Sequence, residues 1–168
     1  QRCDVFVTGP LSGPSARMDE ILAAGRRESG LVESAEALGN SISTRFDLPE
    51  DHAGYLELIG SRQRGNYNRS VKQLEKNHKV LTDTVAAADE VIREFESFQV
   101  LHEAQWSAEG KLGHFGDWPR AAEFNRDLVK DLGKQGMVRF FRIHADGVVA
   151  SSQFCFVFGG TNYWRLPG

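Results

Sequence analysis

Residues 101–115 read LHEAQWSAEGKLGHF, and their spacing predicts the end of a helix followed by a glycine loop. Upstream, from about residue 86, large side chains recur every three or four residues, which is the period of a helix with one apolar face. The residues on that face are Val91, Phe95, Phe98, His102 and Trp106. Gly110 and Gly113 break the helix and leave three side chains on the loop, those of Lys111, His114 and Phe115.

A second helix is predicted directly after the loop. Asp117 is a suitable N-cap for it, and Pro119 is tolerated in a first helical turn. Helical spacing gives this helix an inner face of four apolar residues, Ala121, Phe124, Leu128 and Leu132. The helix is expected to end at Gly133 or Gly136, because glycine readily takes the left-handed conformation that closes a helix.

The hydrophobic period changes from 3.6 to 2 after this helix, which indicates strands. Asp146-Gly147 is a typical pair for a tight hairpin turn, and Gly159-Gly160 predicts a second turn. Between the turns, Val148 to Phe158 forms a long apolar strand, and Thr161 to Leu166 forms the next one. The sequence therefore predicts an antiparallel meander after two helices.

A basic helix is predicted over residues 60–77, ahead of a strand at 79–84. Four cations fall near one face of this helix, Arg62, Arg69, Lys72 and Lys76. Such a face can bind the phosphate of a nucleotide-linked acceptor or a lipid head group. The alternative is a solvated helix face without a ligand.

Residues 1–48 are interpreted as the remnant of a preceding half-domain, and residues 49–168 as the main domain. The first part contains predicted strands at residues 4–8 and 41–46 and a helix that begins near Ser15.

Composition is typical of a globular protein: 40% of the 168 residues are hydrophobic and 26% are charged. The net charge of −3 gives no global attraction to nucleic acid, so no nucleic acid is expected as a partner.

The sequence has no apolar run of about 20 residues and no leader, so we expect a cytoplasmic protein without a transmembrane segment. Its histidines and cysteines match no zinc motif, and no metal is expected. Cys155 lies in an apolar strand and is expected to be a buried thiol.

The motifs as a set resemble the CelD/BcsL-like GNAT acetyltransferases, relatives of the FemAB group that are often associated with bacterial polysaccharide synthesis. The resemblance covers roughly residues 45–168 and rests on the basic helix, Leu-His-Glu-x-x-Trp at 101–106, Gly-Lys-x-Gly-His-Phe at 110–115, Phe124, Gly136, Asp146-Gly147 and the final Tyr-Trp-Arg-Leu-Pro. Asn68 departs from the family, which usually has another arginine at that place.

The resemblance implies an α/β (α+β) GNAT-like acyltransferase fold, with a mixed, largely antiparallel sheet flanked by helices. It implies transfer of an acetyl or other acyl group from acyl-CoA to an amine or hydroxyl of a sugar or polysaccharide precursor. The family's pyrophosphate loop would follow Gly168, so the chain is expected to be truncated before it and not to bind acyl-CoA alone in the family's manner. Two alternatives are a non-catalytic binding or assembly module, and an oligomer or partner chain that completes the sheet.

Six residues are candidates for the acyl-transfer site. His102 is the candidate base, because a histidine is largely neutral at cytosolic pH, and Glu103 could act through a water. Four residues are candidates for substrate binding, Trp106, His114, Asp117 and Arg165. The structural alternatives are a hydrogen-bonded core role for His102, a core role for Trp106, helix capping by His114 and a strand-edge ion pair for Arg165.

Overall fold

A computed structural model describes residues 47–168, together with Glu20 and Ala23, which both lie in a helix. The chain divides into two compact units, Gln1–Leu58 and Ile59–Gly168. The strands predicted at 4–8 and 41–46, and most of the helix predicted near Ser15, lie outside the described residues. The domain boundary at residue 48 stays a prediction.

The second unit has an α+β architecture, as predicted. The helices of the described range are α1 (His52–Leu58, in the first unit), α2 (Gly60–Asn77), α3 (Ala88–Ala108) and α4 (Ala121–Lys134). The strands are β1 (Val80–Val85), β2 (Val138–Ala145), β3 (Val148–Phe158) and β4 (Thr161–Pro167). They form one sheet in the order β1-β2-β3-β4, and every neighbouring pair is antiparallel.

Both predicted hairpin turns are confirmed by their backbone angles. Asp146 and Gly147 have φ values of 53° and 84°, and Gly159 and Gly160 have values of 54° and 73°. Two successive positive φ values match the twist of antiparallel strands, which is why these residue pairs are favoured in short hairpins.

Helices α3 and α4 cover one face of the sheet, and aromatic side chains fill the space between them. The rings of Phe140 on β2 and Phe154 on β3 stack with centroids 5.0 Å apart. Phe98 of α3 lies 5.7 Å from each of them. The helical periodicity predicted for α3 is confirmed, because Val91, Phe95, Phe98 and His102 are all buried.

The predicted inner face of α4 is wrong at Phe124, which is 52% exposed and contacts Trp118 instead of the core. The buried residues of α4 are Ala121, Asn125, Val129 and Gly133. Gly133 explains this rotation, since a Cβ placed there would lie 2.7 Å from Cγ2 of Val91. The two helices therefore approach closely along the small residue.

The N-cap predicted at Asp117 is also wrong. Helix α4 begins at Ala121, after Arg120, which has a left-handed φ of 69° and provides no side-chain cap. A turn closed by the Ala121 N–H and the Trp118 carbonyl, at 3.1 Å, separates Asp117 from the helix.

A charged network fastens α3 to β1 and β2. The Arg142 guanidinium donates two hydrogen bonds to Asp83, of 2.7 and 2.6 Å, and one of 2.6 Å to Glu94. The bond from Arg142 lowers the pKa of Asp83 to about 2. Because guanidinium and carboxylate geometries match, this bidentate pair also fixes the register of the two strands.

Strand β4 contains a bulge. Leu166 pairs with Phe154 and Trp164 pairs with Cys155, so Arg165 between them has no partner residue on β3. Leu166 is buried in the core, whereas Trp164 is 67% exposed. Cys155 is buried and forms no disulfide, as predicted, and burial raises the pKa of its thiol.

We expect Gly133→Ala to lower the free energy of unfolding by about 1–2 kcal/mol. The new methyl group would overlap Val91, which is fully buried, and overpacking costs about 1–3 kcal/mol against a helix-propensity gain of up to about 1 kcal/mol. Gly65→Ala in α2 is the matched control, since a Cβ there meets nothing within 4 Å. Urea denaturation of both variants tests this, and equal stability changes would contradict the close helix contact.

Candidate active site

His102 is the centre of the candidate site and has no exposed surface. It lies one helical turn after Phe98 on the buried face of α3, and the two rings stack with centroids 5.6 Å apart. Phe115, from the loop after α3, packs edge-on at 5.3 Å. An apolar enclosure of this kind disfavours a charged imidazole, and burial lowers the pKa of His102.

Both ring nitrogens of His102 have hydrogen-bond partners. Nδ1 donates to the carbonyl oxygen of Pro167 at 2.6 Å, because a carbonyl can only accept. In the neutral ring Nε2 is then an acceptor. It lies 3.1 Å from Nδ1 of His114 and 3.4 Å from the main-chain nitrogen of the same residue.

The loop that carries His114 is shaped by two glycines. Gly110 ends α3 with a φ of 70°, and the N–H of Lys111 bonds back to the Trp106 carbonyl at 3.0 Å. A Cβ on Gly113 would lie 3.3 Å from Cδ2 of His102. The absence of a side chain at residue 113 lets the loop pack directly on the imidazole.

Trp106 forms a wall beside the two histidines. Its ring lies 4.9 Å from the His114 ring in an edge-to-face arrangement and 5.8 Å from the His102 ring. The ammonium of Lys111 lies 5.1 Å from the indole centroid. Among the described residues, the indole Nε1 of Trp106 is buried without a hydrogen-bond partner. A buried donor of this kind is suited to a ligand or a water.

The structure brings the rings of His102, Trp106 and His114 into contact, whereas the other three candidates are exposed. Glu103 is exposed and accepts a 3.0 Å hydrogen bond from Gln99. Asp117 is exposed, three residues after His114, and Arg165 is exposed at the bulge of β4. The roles predicted for all six residues stay predictions.

Sequence reasoning missed the contribution of Pro167, since a main-chain carbonyl has no sequence signal. It also missed the packing role of Gly113, although a glycine directly before His114 indicates a close approach. The network of Asp83, Glu94 and Arg142 was missed as well, because the pairing of β1 with β2 that brings Asp83 opposite Arg142 joins strands that are distant in sequence.

A surface cleft of about 240 Å³ lies beside this network. Its lining residues are Val85, Glu90, Arg93, Glu94, Ser97 and Arg142. None of them belongs to the candidate site, so the cleft and the histidine pair are separate features.

Two classes of feature are not found in the part of the chain that the structure describes. No group of three or more His, Cys, Asp or Glu side chains is placed to hold a metal ion. No helix in that part is long and apolar enough to span a bilayer.

A family model described as an acetyltransferase (GNAT) domain matches residues 61–168. The chain belongs to this family. No curated protein and no solved structure matches the chain in the corresponding comparisons.

Within the GNAT domain, the matched residues begin in α2 and include both helices over the sheet, the histidine pair and all four strands. GNAT domains generally transfer acyl groups from acyl-CoA. The candidate site therefore lies in the part of the chain that defines the family.

We expect the protein to lose stability as the pH falls below about 6.5, the pKa of an ordinary histidine. Because burial lowers the pKa of His102 in the folded protein, the unfolded chain binds a proton in this range that the folded protein does not. Stability therefore rises with pH, by at most about 1.4 kcal/mol per unit for one proton.

Urea denaturation at pH 7.5 and pH 5.5 measures this effect. His102→Gln removes the titrating group and should make the loss of stability between the two pH values smaller. Equal losses in the wild type and the variant would show that His102 does not titrate differently in the two states.

Proposed function

We propose that the protein transfers an acyl group from acetyl-CoA or another acyl-CoA to an amine or hydroxyl of a sugar or polysaccharide precursor. Membership of the GNAT family supports acyl transfer, and the resemblance to the CelD/BcsL-like enzymes supports the sugar acceptor. The observation that carries the proposal is the buried imidazole of His102, which is bonded to both β4 and the half-buried His114 and whose pKa is lowered by burial.

The reaction needs an acceptor that has lost a proton and a thioester carbonyl held beside it. Neutral imidazole is suited to the first requirement. In the sheet described here, β4 has a neighbour on one side only, so main-chain groups on its outer edge can pair with the two amides of a pantetheine arm. This edge fits an acyl-CoA donor, which supplies the activated acyl group.

Trp106 is the strongest candidate for contact with the acceptor. Its ring is half-buried and lies 4.9 Å from the His114 ring, so its accessible part can pack against the acceptor. Asp117 and Glu103 are exposed carboxylates near the same loop and can act through water. Arg165, exposed on β4, is suited to an anionic part of either substrate.

The basic face of α2 supports a phosphate-bearing acceptor. Its cations are all exposed, and α2 has no buried residue. From Arg62 to Lys76 the face extends over about 21 Å at 1.5 Å per residue. Clustered cations of this length are suited to the diphosphate of a nucleotide-linked sugar, and they also fit the alternative of a non-catalytic binding module.

Isothermal titration calorimetry of the full-length protein, with the pyrophosphate loop present, against acetyl-CoA tests the central proposal. We expect binding with a dissociation constant of about 1 mM or tighter, since measured KM values usually lie between about 1 μM and 1 mM. If an excess of desulfo-CoA did not reduce the heat of acetyl-CoA binding, the binding would be nonspecific. No heat with millimolar acetyl-CoA would contradict the proposed function.

UDP-glucose binding tests the basic face. The double variant Arg69→Gln/Lys72→Gln should weaken it at least about fivefold, because each lost phosphate contact removes a charge-assisted hydrogen bond. The control Gln63→Glu/Ser70→Glu changes the net charge equally on another side of α2 and should weaken binding less. Equal weakening in both variants would indicate a general charge effect and no binding face.

A further inference from the structure

The proton positions in the histidine pair follow from its hydrogen bonds. Nδ1 of His102 carries a proton, because it faces the carbonyl oxygen of Pro167. Nε2 of the neutral ring is therefore an acceptor, and the main-chain N–H of His114 points toward it at 3.4 Å. Nδ1 of His114 must then carry a proton to donate across 3.1 Å. In neutral His114 this leaves Nε2 without a proton.

The two imidazoles differ in their access to substrate. His102 is fully buried, and its Nε2 already faces two N–H groups of residue 114. An acceptor substrate could reach that atom only by displacing the loop. His114 is half-buried, and its hydrogen bonds within the described residues use Nδ1 and the main-chain nitrogen but not Nε2. The lone pair that substrate can reach therefore belongs to His114.

The ring of His114 is also held in position. Trp106 packs against it at 4.9 Å with an interplanar angle of 85°, while His102 lies 5.1 Å away on α3. A base that is fixed in orientation and tautomer is more effective than a mobile one, because its lone pair is already directed at the proton.

We propose that His114 is the general base of the acyl transfer and that His102 is the positioning residue that holds its tautomer. The inference rests on the proposed function and assigns to His114 the role that the sequence predicted for His102. His102 acts on His114 as the third member of a catalytic triad acts on its histidine, but as a neutral hydrogen-bond acceptor.

The reaction balances with these two residues and the two substrates. The acceptor nitrogen attacks the thioester carbonyl carbon, so a C–N bond forms and the C–S bond breaks. The proton lost by that nitrogen moves to Nε2 of His114. The departing CoA thiolate then takes up this proton, which returns His114 to its neutral form. Throughout, Nδ1–H of His114 stays bonded to Nε2 of His102.

Three variants separate the two roles. In His114→Asn the side-chain amide nitrogen lies near the former Nδ1, so it can still donate to His102, but no group replaces Nε2. His102→Gln removes the N–H that bonds the Pro167 carbonyl and changes the hydrogen bond between residue 102 and Nδ1 of His114. His78→Asn is the control, since His78 is exposed and bonds Asp146, outside the site.

Thiol release from acetyl-CoA with D-glucosamine as acceptor measures the effect. We expect His114→Asn to lower kcat by about 10²–10⁴-fold, the usual contribution of general acid–base catalysis, and to leave KM for acetyl-CoA within about twofold. His102→Gln should give a smaller loss, and His78→Asn none. A kcat of His114→Asn within about threefold of the wild type would overturn the inference.

The pH profile separates catalysis from a structural effect. The rise of kcat/KM on the titration of the base should disappear in His114→Asn and shift in His102→Gln. The charged groups around the pair are Glu103, Lys111 and Asp117, and none of them is changed in these variants. An unchanged profile in both variants would count against His114 as the base.

Nitrogen NMR of the histidine rings tests the proton positions without substrate. At pH 7.5 we expect Nδ1 to be protonated and Nε2 unprotonated in both His102 and His114. A proton on Nε2 of His114 would overturn the inference. Failure of the proposed function is distinguishable, because it appears as absent acetyl-CoA binding or turnover in the wild type while the ring protons stay as expected.

Discussion

The hydrogen bond from His102 Nδ1 to the Pro167 carbonyl determines how the rest of the site is arranged. It joins α3 to the end of β4 across 65 residues of sequence. Because the carbonyl only accepts, the bond sets which nitrogen of His102 holds the proton and makes the opposite nitrogen an acceptor. The loop after α3 then supplies the matching donors from His114. This one main-chain oxygen therefore determines how the polar groups of His102 on α3 and of His114 on the following loop are oriented.

The aromatic core makes this arrangement selective for neutral imidazole. Phe98 and Phe115 enclose the ring of His102, and Phe140 and Phe154 continue the apolar layer into the sheet. Burying a neutral polar ring whose two nitrogens are both bonded costs little free energy, whereas burying a charge costs much more. Packing and protonation are therefore coupled, and the same contacts that stabilise the fold keep the imidazole uncharged.

Much of the fold could be predicted from local pattern. The buried face of α3, the two hairpin turns and the meander of β2, β3 and β4 depend on periodicity and on residues with particular backbone preferences, whereas the pairing of β1 with β2 has no local signal. The buried face of α4 could not be predicted, because Phe124 has the right spacing for the core but is exposed, while Gly133 faces α3 and packs closely on Val91. Residue types were enough to identify His102, Trp106 and His114 as candidate site residues. The hydrogen bonds of the two histidines could not be predicted, because they depend on Pro167, which is distant in sequence.

The bulge at Arg165 makes the geometry of this region depend on the number of residues in β4. Side chains in a regular strand alternate between faces, so Trp164 and Leu166 would share one face if β4 were regular. Because of the bulge they pair with the consecutive residues Cys155 and Phe154 and lie on opposite faces, so that Leu166 is buried in the core and the carbonyl of Pro167 bonds α3. Loss or gain of one residue in β4 would preserve a plausible strand composition and still misalign this carbonyl. The hydrogen bond of the Pro167 carbonyl to α3 therefore constrains the length of β4 more than the identity of its exposed side chains.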